Sequence, residues 1–190
     1  DARQDGIGRM TDSALFSPLS LRGVTFRNRI MISPMQQYMA GTDGLPTGFH
    51  VQHYGRQAIG GAGTVMTEAL AVTPEGRVTW HDLGLWNEAQ EAALRPIVAG
   101  FEAAGAVPAV QLIHAGRKGS VGRPWEGYNP LTSADAARGS PPWTTLAASA
   151  LPAHADTALL RRTCPAAHGS RRRHRSPPAS RPRRPRARPP

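Results

Sequence analysis

Thr64-Val-Met-Thr-Glu-Ala-Leu-Ala-Val72 is the stretch that decides the fold. It is a short, nearly continuous apolar run without the polar alternation of a half-solvated strand. Such runs suit strands covered on both faces, as in a parallel sheet. The flanks repeat the pattern. Upstream, Arg29-Ile-Met-Ile-Ser33 is a second run, closed by Pro34. Between the two, residues 49–59 place Val51, Tyr54 and Ala58 at helical spacing and stop at Gly60-Gly61. Downstream, residues 73–87 read as a loop carrying Pro74, Gly76 and Gly84. Residues 88–104 then give the clearest helix, with an apolar stripe of Ala92, Ala93, Ile97, Phe101 and Ala104. Asn87 suits its N-cap and Gly105 its stop, while Pro96 implies a kink or a late start. Pro108-Ala-Val-Gln-Leu-Ile113 is a third strand.

Ahead of these elements, residues 19–28 predict a short β-hairpin turning at Gly23, and residues 41–46 form a turn cluster. The order is hairpin, strand, helix, strand, helix, strand. Repeated βα units with right-handed crossovers define an α/β fold on a parallel sheet, either a barrel or a doubly wound fold.

Charge divides the chain. Its 190 residues carry 23 Lys+Arg and 13 Asp+Glu, a net +10. Residues 152–190 hold 11 Arg and one acid, Asp156, which leaves 12 basic and 12 acidic residues before them. The body is therefore neutral, and the basic character belongs to an Arg/Pro-rich tail. That composition cannot bury enough apolar surface to offset its ordering entropy, so disorder is expected there. Arg clusters in the tail raise nucleic-acid binding as an alternative function. The tail has no interleaved aromatic residues for base stacking, and the solvated reading is preferred. The single cysteine, Cys164, excludes an intrachain disulfide and a cysteine-based zinc site. No apolar run has transmembrane length and no signal segment opens the chain. The expected location is cytoplasmic. The domain reading is an N-terminal extension over 1–14, the fold over 15–151 and the tail over 152–190.

Each proposed strand ends in polar chemistry. The first runs into Ser33-Pro34-Met35, the second passes through Glu68-Ala69, and the third carries Gln111 and His114. In βα barrels the working residues sit at the C-terminal ends of strands, so three converging polar ends suit a flat, polar-edged cofactor. Each also has a plain alternative. Ser33-Pro34 serves equally as a strand-ending turn, Glu68 as the ion-pair partner of an arginine, and His114 as a structural hydrogen-bonding residue.

Four segments, in order and spacing, resemble the NADH:flavin oxidoreductase/Old Yellow Enzyme family. They are Leu15-Phe-Ser-Pro-Leu19 with Asn28-Arg-Ile30, Ser33-Pro-Met35, Pro74-Glu-Gly-Arg77 leading into Asp82-Leu-Gly-Leu-Trp86, and Gln111-Leu-Ile-His-Ala-Gly-Arg-Lys118. Arg123-Pro-Trp-Glu-Gly127 points to the bacterial xenobiotic reductase and YqjM-like sub-type. The resemblance covers residues 15–130, with Ala148-Ser-Ala150 resembling the next loop. It implies the N-terminal part of a (β/α)8 TIM barrel with non-covalent FMN in its mouth and NADPH or NADH as hydride donor. Ser33, Pro34, Met35 and Gln36 would line the flavin. Ala69 would lie against it, Gln111 would bond its pyrimidine edge, and Tyr38 would hold the substrate carbonyl. The implied reaction reduces the C=C bond of an α,β-unsaturated carbonyl compound, in a full-length homo-oligomer that uses no metal. A module acting on an aromatic acyl-CoA is the alternative within the same half-barrel.

Two departures stand out. Gln36 occupies a position where this sub-type has Cys and other members Thr. The later-strand groups that the family uses, a His pair, a proton-donating Tyr and the phosphate site, have no counterpart here; His154, His168 and His174 stand in no matching context. No catalytic residue is therefore assigned. The ending reads as out-of-frame translation of a GC-rich gene, and this chain by itself is expected neither to hold FMN tightly nor to turn over.

Overall fold

A computed structural model of the chain describes residues 13–149, 151 and 153, and the backbone of 161–163. The N-terminal extension before residue 13, Cys164 and most of the tail lie outside the described residues.

The hairpin forms as expected. Strands β1 (Leu19–Leu21) and β2 (Val24–Phe26) pair antiparallel, Leu19 opposite Phe26. Their two-residue turn puts Arg22 and Gly23 at φ 48° and 83°, the left-handed pair whose twist matches a hairpin. The main sheet has order β3-β4-β5 and is parallel throughout: β3 (Met31–Ile32), β4 (Thr64–Ala71) and β5 (Val107–Ile113). Helix α1 (Gly48–Ile59) connects β3 to β4 and α2 (Glu88–Ala103) connects β4 to β5. A hairpin followed by about three parallel βα units is a partial, unclosed (β/α)8 barrel.

Only β4 has neighbours on both sides. Its residues are almost all buried, as its apolar run requires. The other two strands are edges among the described residues. The strand expected over residues 29–33 narrows to Met31–Ile32, and Met31 is 55% exposed. On β5, Val110 and Leu112 are exposed. Edge strands keep their apolar sequence but not the two-sided cover it was read to need.

Helix α1 buries His50, Tyr54 and Ala58, so its inner stripe starts at His50 and Val51 faces solvent. Helix α2 buries Gln90, Leu94, Ile97 and Phe101; Ala92, expected inside, is exposed. Tyr54 and Phe101 meet edge to face at 5.9 Å between the helices. Asn87 caps α2 by accepting from Gln90 N at 3.0 Å. Pro96 neither ends nor delays the helix. Ala92 and Pro96 both lie on the solvent side, where water takes the carbonyl that proline leaves free.

Arg27 fastens the hairpin strand to the floor of the sheet. Its guanidinium donates to the carbonyls of Ala58, Ala62 and Ala104, at 3.0, 2.8 and 2.6 Å. Ala58 and Ala104 stand at the C-terminal ends of α1 and α2, where orphan carbonyls and the helix dipoles favour a cation. Beside it, a Cβ at Gly63 would fall 2.4 Å from the Asn28 carbonyl, so only glycine lets β4 begin there.

Beyond β5, helix α3 (Ser133–Ala136) is a single turn, and β6 (Thr145–Ala147) pairs in parallel with β7 (Arg161–Thr163). Strand β7 falls within the tail expected to be disordered, most of which lies outside the described residues. No helix among the described residues is long and apolar enough to cross a membrane.

Candidate functional site at the carboxyl edge of the sheet

The resemblance-derived residues fall at the C-terminal edge of the parallel sheet. Ile32 pairs with Val65, so Ser33 leaves β3 alongside β4. Ala69 and Gln111 are cross-strand partners. Between Met66 and Ala69 the β4/β5 register slips: Met66 faces Ala109, yet Ala69 faces Gln111. One extra residue on β4 makes a bulge, a device that re-aims side chains next to sites. The bulge puts Glu68 into the interior and the small Ala69 beside the Gln111 amide.

Glu68 is fully buried and, among the described residues, pairs with no arginine, one of the readings its sequence allowed. Its Oε1 accepts from the Tyr54 hydroxyl at 2.9 Å, and the same hydroxyl accepts from Glu68 N at 2.9 Å. Its Oε2 accepts from the backbone N–H of Gln37 at 2.8 Å. His50 Nδ1 accepts from Thr47 N at 2.9 Å, which leaves the ring proton on Nε2, 3.2 Å from Glu68 Oε1. That contact is bent away from good hydrogen-bond geometry, so it acts mainly as charge on dipole. Burial, then the Glu68 charge, pushes the Tyr54 phenol well above the ordinary tyrosine range, so Tyr54 stays a donor. The loop after β3 is thus tied to β4 and α1 through one carboxylate.

Within that loop Gln37 Nε2 donates to the Met35 carbonyl at 2.7 Å, and Ala40 N donates to the His81 carbonyl at 3.1 Å. Ser33, Met35 and Gln111 are exposed, Pro34, Gln36 and Tyr38 half-buried, and Ala69 buried. Gln36 Nε2 is enclosed, with the Asp82 carboxylate near it. The exposed Gln111 amide can donate and accept beside the small Ala69, so the residues present fit the polar edge of a flat flavin ring. His114 is exposed and structural: its Nδ1 accepts from Gly116 N at 3.0 Å, and its ring lies against Gly76.

Asp82 lies beneath this edge. It accepts from Val78 N, Thr79 N and the Thr79 hydroxyl at 2.7, 3.2 and 2.7 Å, yet burial raises its carboxyl above the usual range. Arg77, from the Pro74-Glu-Gly-Arg77 segment, is buried and bonded only to carbonyls, those of Thr42, Pro74 and Trp80. Its guanidinium stands 4.5, 5.3 and 5.9 Å from the ring centres of Trp80, Trp86 and Trp143. The cage has no local signature in the sequence, because Trp143 joins Trp80 and Trp86 from 66 residues beyond Arg77.

Two cavities lie elsewhere. One of about 510 Å³ is lined by polar groups including His81, Arg123, Asp135 and Arg138. The other, about 350 Å³, runs between α2 and β5 past Leu85, Leu94, Val98 and Val110. Neither is lined by any of the seven resemblance-derived residues. Those residues form an open polar edge.

A parallel βα sheet whose polar residues gather at the carboxyl ends of its strands belongs to the barrel class of enzyme scaffolds. Residues 14–135 match the NADH:flavin oxidoreductase / NADH oxidase family, and the chain belongs to that family. It is 44% identical over 113 residues to an NADPH dehydrogenase of Bacillus licheniformis, covering 59% of this chain and 33% of that protein. To the NADPH dehydrogenase of Listeria welshimeri it is 49% identical over 107 residues, 56% of this chain and 32% of the relative. The chain thus spans about a third of the length of these relatives. Among solved structures, it matches the old yellow enzyme homologue from Zymomonas mobilis with a TM-score of 0.58 and 27% identity, over 73% of this chain and 34% of that one. Morphinone reductase matches with a TM-score of 0.58 and 29% identity, over 75% and 33%.

Proposed function

We propose that this segment builds the first wall of the flavin site of an FMN-dependent NAD(P)H oxidoreductase, one that reduces the C=C bond of α,β-unsaturated carbonyl compounds. The observation that carries the reading is the bulged register that sets Ala69 against Gln111 while Glu68 ties the Gln36–Tyr38 loop to the same edge.

Ser33, Pro34, Met35 and Gln36 line the ring. Ala69 is small enough for a flat ring to lie against it. The Gln111 amide donates and accepts at the pyrimidine edge. Tyr38 donates a hydrogen bond from its hydroxyl to the substrate carbonyl, stabilising negative charge that develops there. Bound FMN supplies the hydride chemistry, with NADPH or NADH as its source. The similarity to the NADPH dehydrogenases of Bacillus and Listeria supports the nicotinamide assignment. The His pair and the proton-donating Tyr that the family resemblance implies are not assigned to any described residue. The reading carries with it a cytoplasmic homo-oligomer.

The test replaces the matching segment of the Listeria welshimeri NADPH dehydrogenase with residues 14–135. The chimera is expected to purify yellow and to oxidise NADPH when given cyclohex-2-enone. A yellow chimera that reduces only an aromatic CoA thioester moves the substrate to the acyl-CoA class. A colourless, folded chimera overturns the flavin reading.

A further inference from the structure

Tyr38 and Trp125 meet edge to face, their ring centres 5.9 Å apart. Tyr38 belongs to the loop after β3 and Trp125 to the loop after β5, on either side of β4. The contact therefore spans the carboxyl edge of the sheet. Both rings are held from the backbone outward. Tyr38 stands between two anchored amides: Gln37 N donates to the Glu68 carboxylate at 2.8 Å and Ala40 N to the His81 carbonyl at 3.1 Å. Its φ of 59° is one that bulky residues rarely adopt, and such strain persists only where the surroundings enforce it.

The loop that presents Trp125 closes on itself. Leu131 N donates to the Ser120 carbonyl and Gly122 N to the Asn129 carbonyl, both at 2.9 Å, and Tyr128 N to the Arg123 carbonyl at 3.2 Å. Inside this ladder, Pro124–Glu126 makes a single tight turn of helix. Arg123 binds Glu126 through Nη2 at 2.7 Å and through its own backbone N–H at 3.0 Å. Gly127 turns at φ 96°, and a Cβ there would fall 2.7 Å from Asn129 Nδ2. The Arg123 guanidinium stands 5.2 Å from the Trp125 ring centre, so a cation that Glu126 holds in turn braces the indole. Yet Trp125 is 61% exposed among the described residues. Stability alone favours burying an indole, whereas this loop fixes one outward. A rigid, outward aromatic ring has little conformational freedom left to lose when a ligand meets it.

We propose that Trp125 is a specificity-determining residue, its indole forming a wall beside Tyr38 that selects enones carrying an aryl group on the alkene. This rests on the reading of Tyr38 given above. With the carbonyl oxygen on the Tyr38 hydroxyl, an aryl group conjugated with the C=C bond extends one flat, stiff plane across the edge that the Tyr38–Trp125 contact spans. Its ring meets the indole in an aromatic pair. A methyl group in the same place offers no ring and less area.

The test compares benzylideneacetone and ethylideneacetone, which differ only in phenyl against methyl on the alkene, as substrates of the chimera. Trp125→Ala is expected to lower the preference for benzylideneacetone, the ratio of the two kcat/KM values, roughly five-fold and through KM, the value of one aromatic pair. Trp125→Phe is expected to keep most of the preference, because it keeps a ring. A merely structural role lowers both kcat/KM values together, so an unchanged ratio in Trp125→Ala overturns the proposal. Binding is read separately from turnover. With fluorotryptophan incorporated into the chimera, the Trp125 resonance, assigned by its loss in Trp125→Phe, is expected to shift on adding benzylideneacetone and to stay in place with ethylideneacetone. A resonance that responds to neither compound, or to both equally, overturns the aryl wall. A chimera that reduces neither enone but shows the selective shift removes the ene-reductase reading and leaves the aryl wall standing.

Discussion

Glu68 Oε2 accepts the backbone N–H of Gln37 at 2.8 Å, so a fully buried side chain on the central strand holds the main chain of the loop after the first. The other oxygen of the carboxylate is held by Tyr54 of α1 at 2.9 Å. Helix, strand and loop therefore share one acceptor. Removing the Tyr54 hydroxyl leaves a buried carboxylate oxygen and the Glu68 N–H under-satisfied. Tyr54→Phe is expected to cost about 2 kcal/mol in urea unfolding and to speed hydrogen exchange at the Gln37 amide. Unchanged exchange at Gln37 would show that the loop does not depend on this network.

Arg27 makes the corresponding joint at the floor. Its donors satisfy carbonyls at the ends of both helices and at Ala62. Arg27→Ala is expected to destabilise the chain by about 3 kcal/mol, since charged hydrogen bonds to partly buried acceptors are lost together. Denaturant midpoints measure this. A loss within about 0.5 kcal/mol, the range of ordinary surface substitutions, contradicts it.

Asp82 gives the chain an inverted acid dependence. Burial raises its folded pKa above the unfolded value, so the folded state holds the proton more tightly. Its contribution to stability is greatest below the unfolded pKa, about 4, and is lost as pH rises from there through the raised folded value. Asp82→Asn removes this titration. Relative to the Asn variant, the native chain is expected to lose stability with rising pH across that window. Urea midpoints for both proteins at several pH values check it, and a native chain that gains on the variant as pH rises refutes it.

Arg77 is held by rings and carbonyls instead of by an acid. Lysine keeps the charge but not the flat face or the fork of donors. Arg77→Lys is expected to cost about 2 kcal/mol and to red-shift the tryptophan emission, because three of the four tryptophans surround the guanidinium. An unshifted emission maximum would mean that the cage closes around lysine equally well.

The order of elements along the chain, both helices and the hairpin were legible because apolar runs, an Asn cap and glycine stops are local signals. Gly61 and Gly105 end α1 and α2 with φ 97° and 75°, as a stop glycine should. What escaped was set by distance. The helical spacing put Val51 on the inner stripe of α1; His50 takes that place because the carboxylate that draws it inward lies on another element. Gln90, absent from the apolar stripe, is buried because Trp86 N donates to its Oε1 and its own amide donates to the Asp43 carbonyl. The bulge between Met66 and Ala69 leaves no mark in composition, yet it decides which residue faces Gln111. The motif residues were visible one by one, and their shared edge needed the register.

The central claim is that Gln111 and the residues opposite it face one flavin ring. Titration of FMN into the deflavinated chimera, followed by flavin fluorescence, tests it most directly. Gln111→Leu is expected to weaken FMN binding by about ten-fold, the loss of one or two amide hydrogen bonds, while leaving the denaturant midpoint unchanged because the side chain is exposed. Equal FMN affinity in the native and Gln111→Leu chimeras would contradict the account.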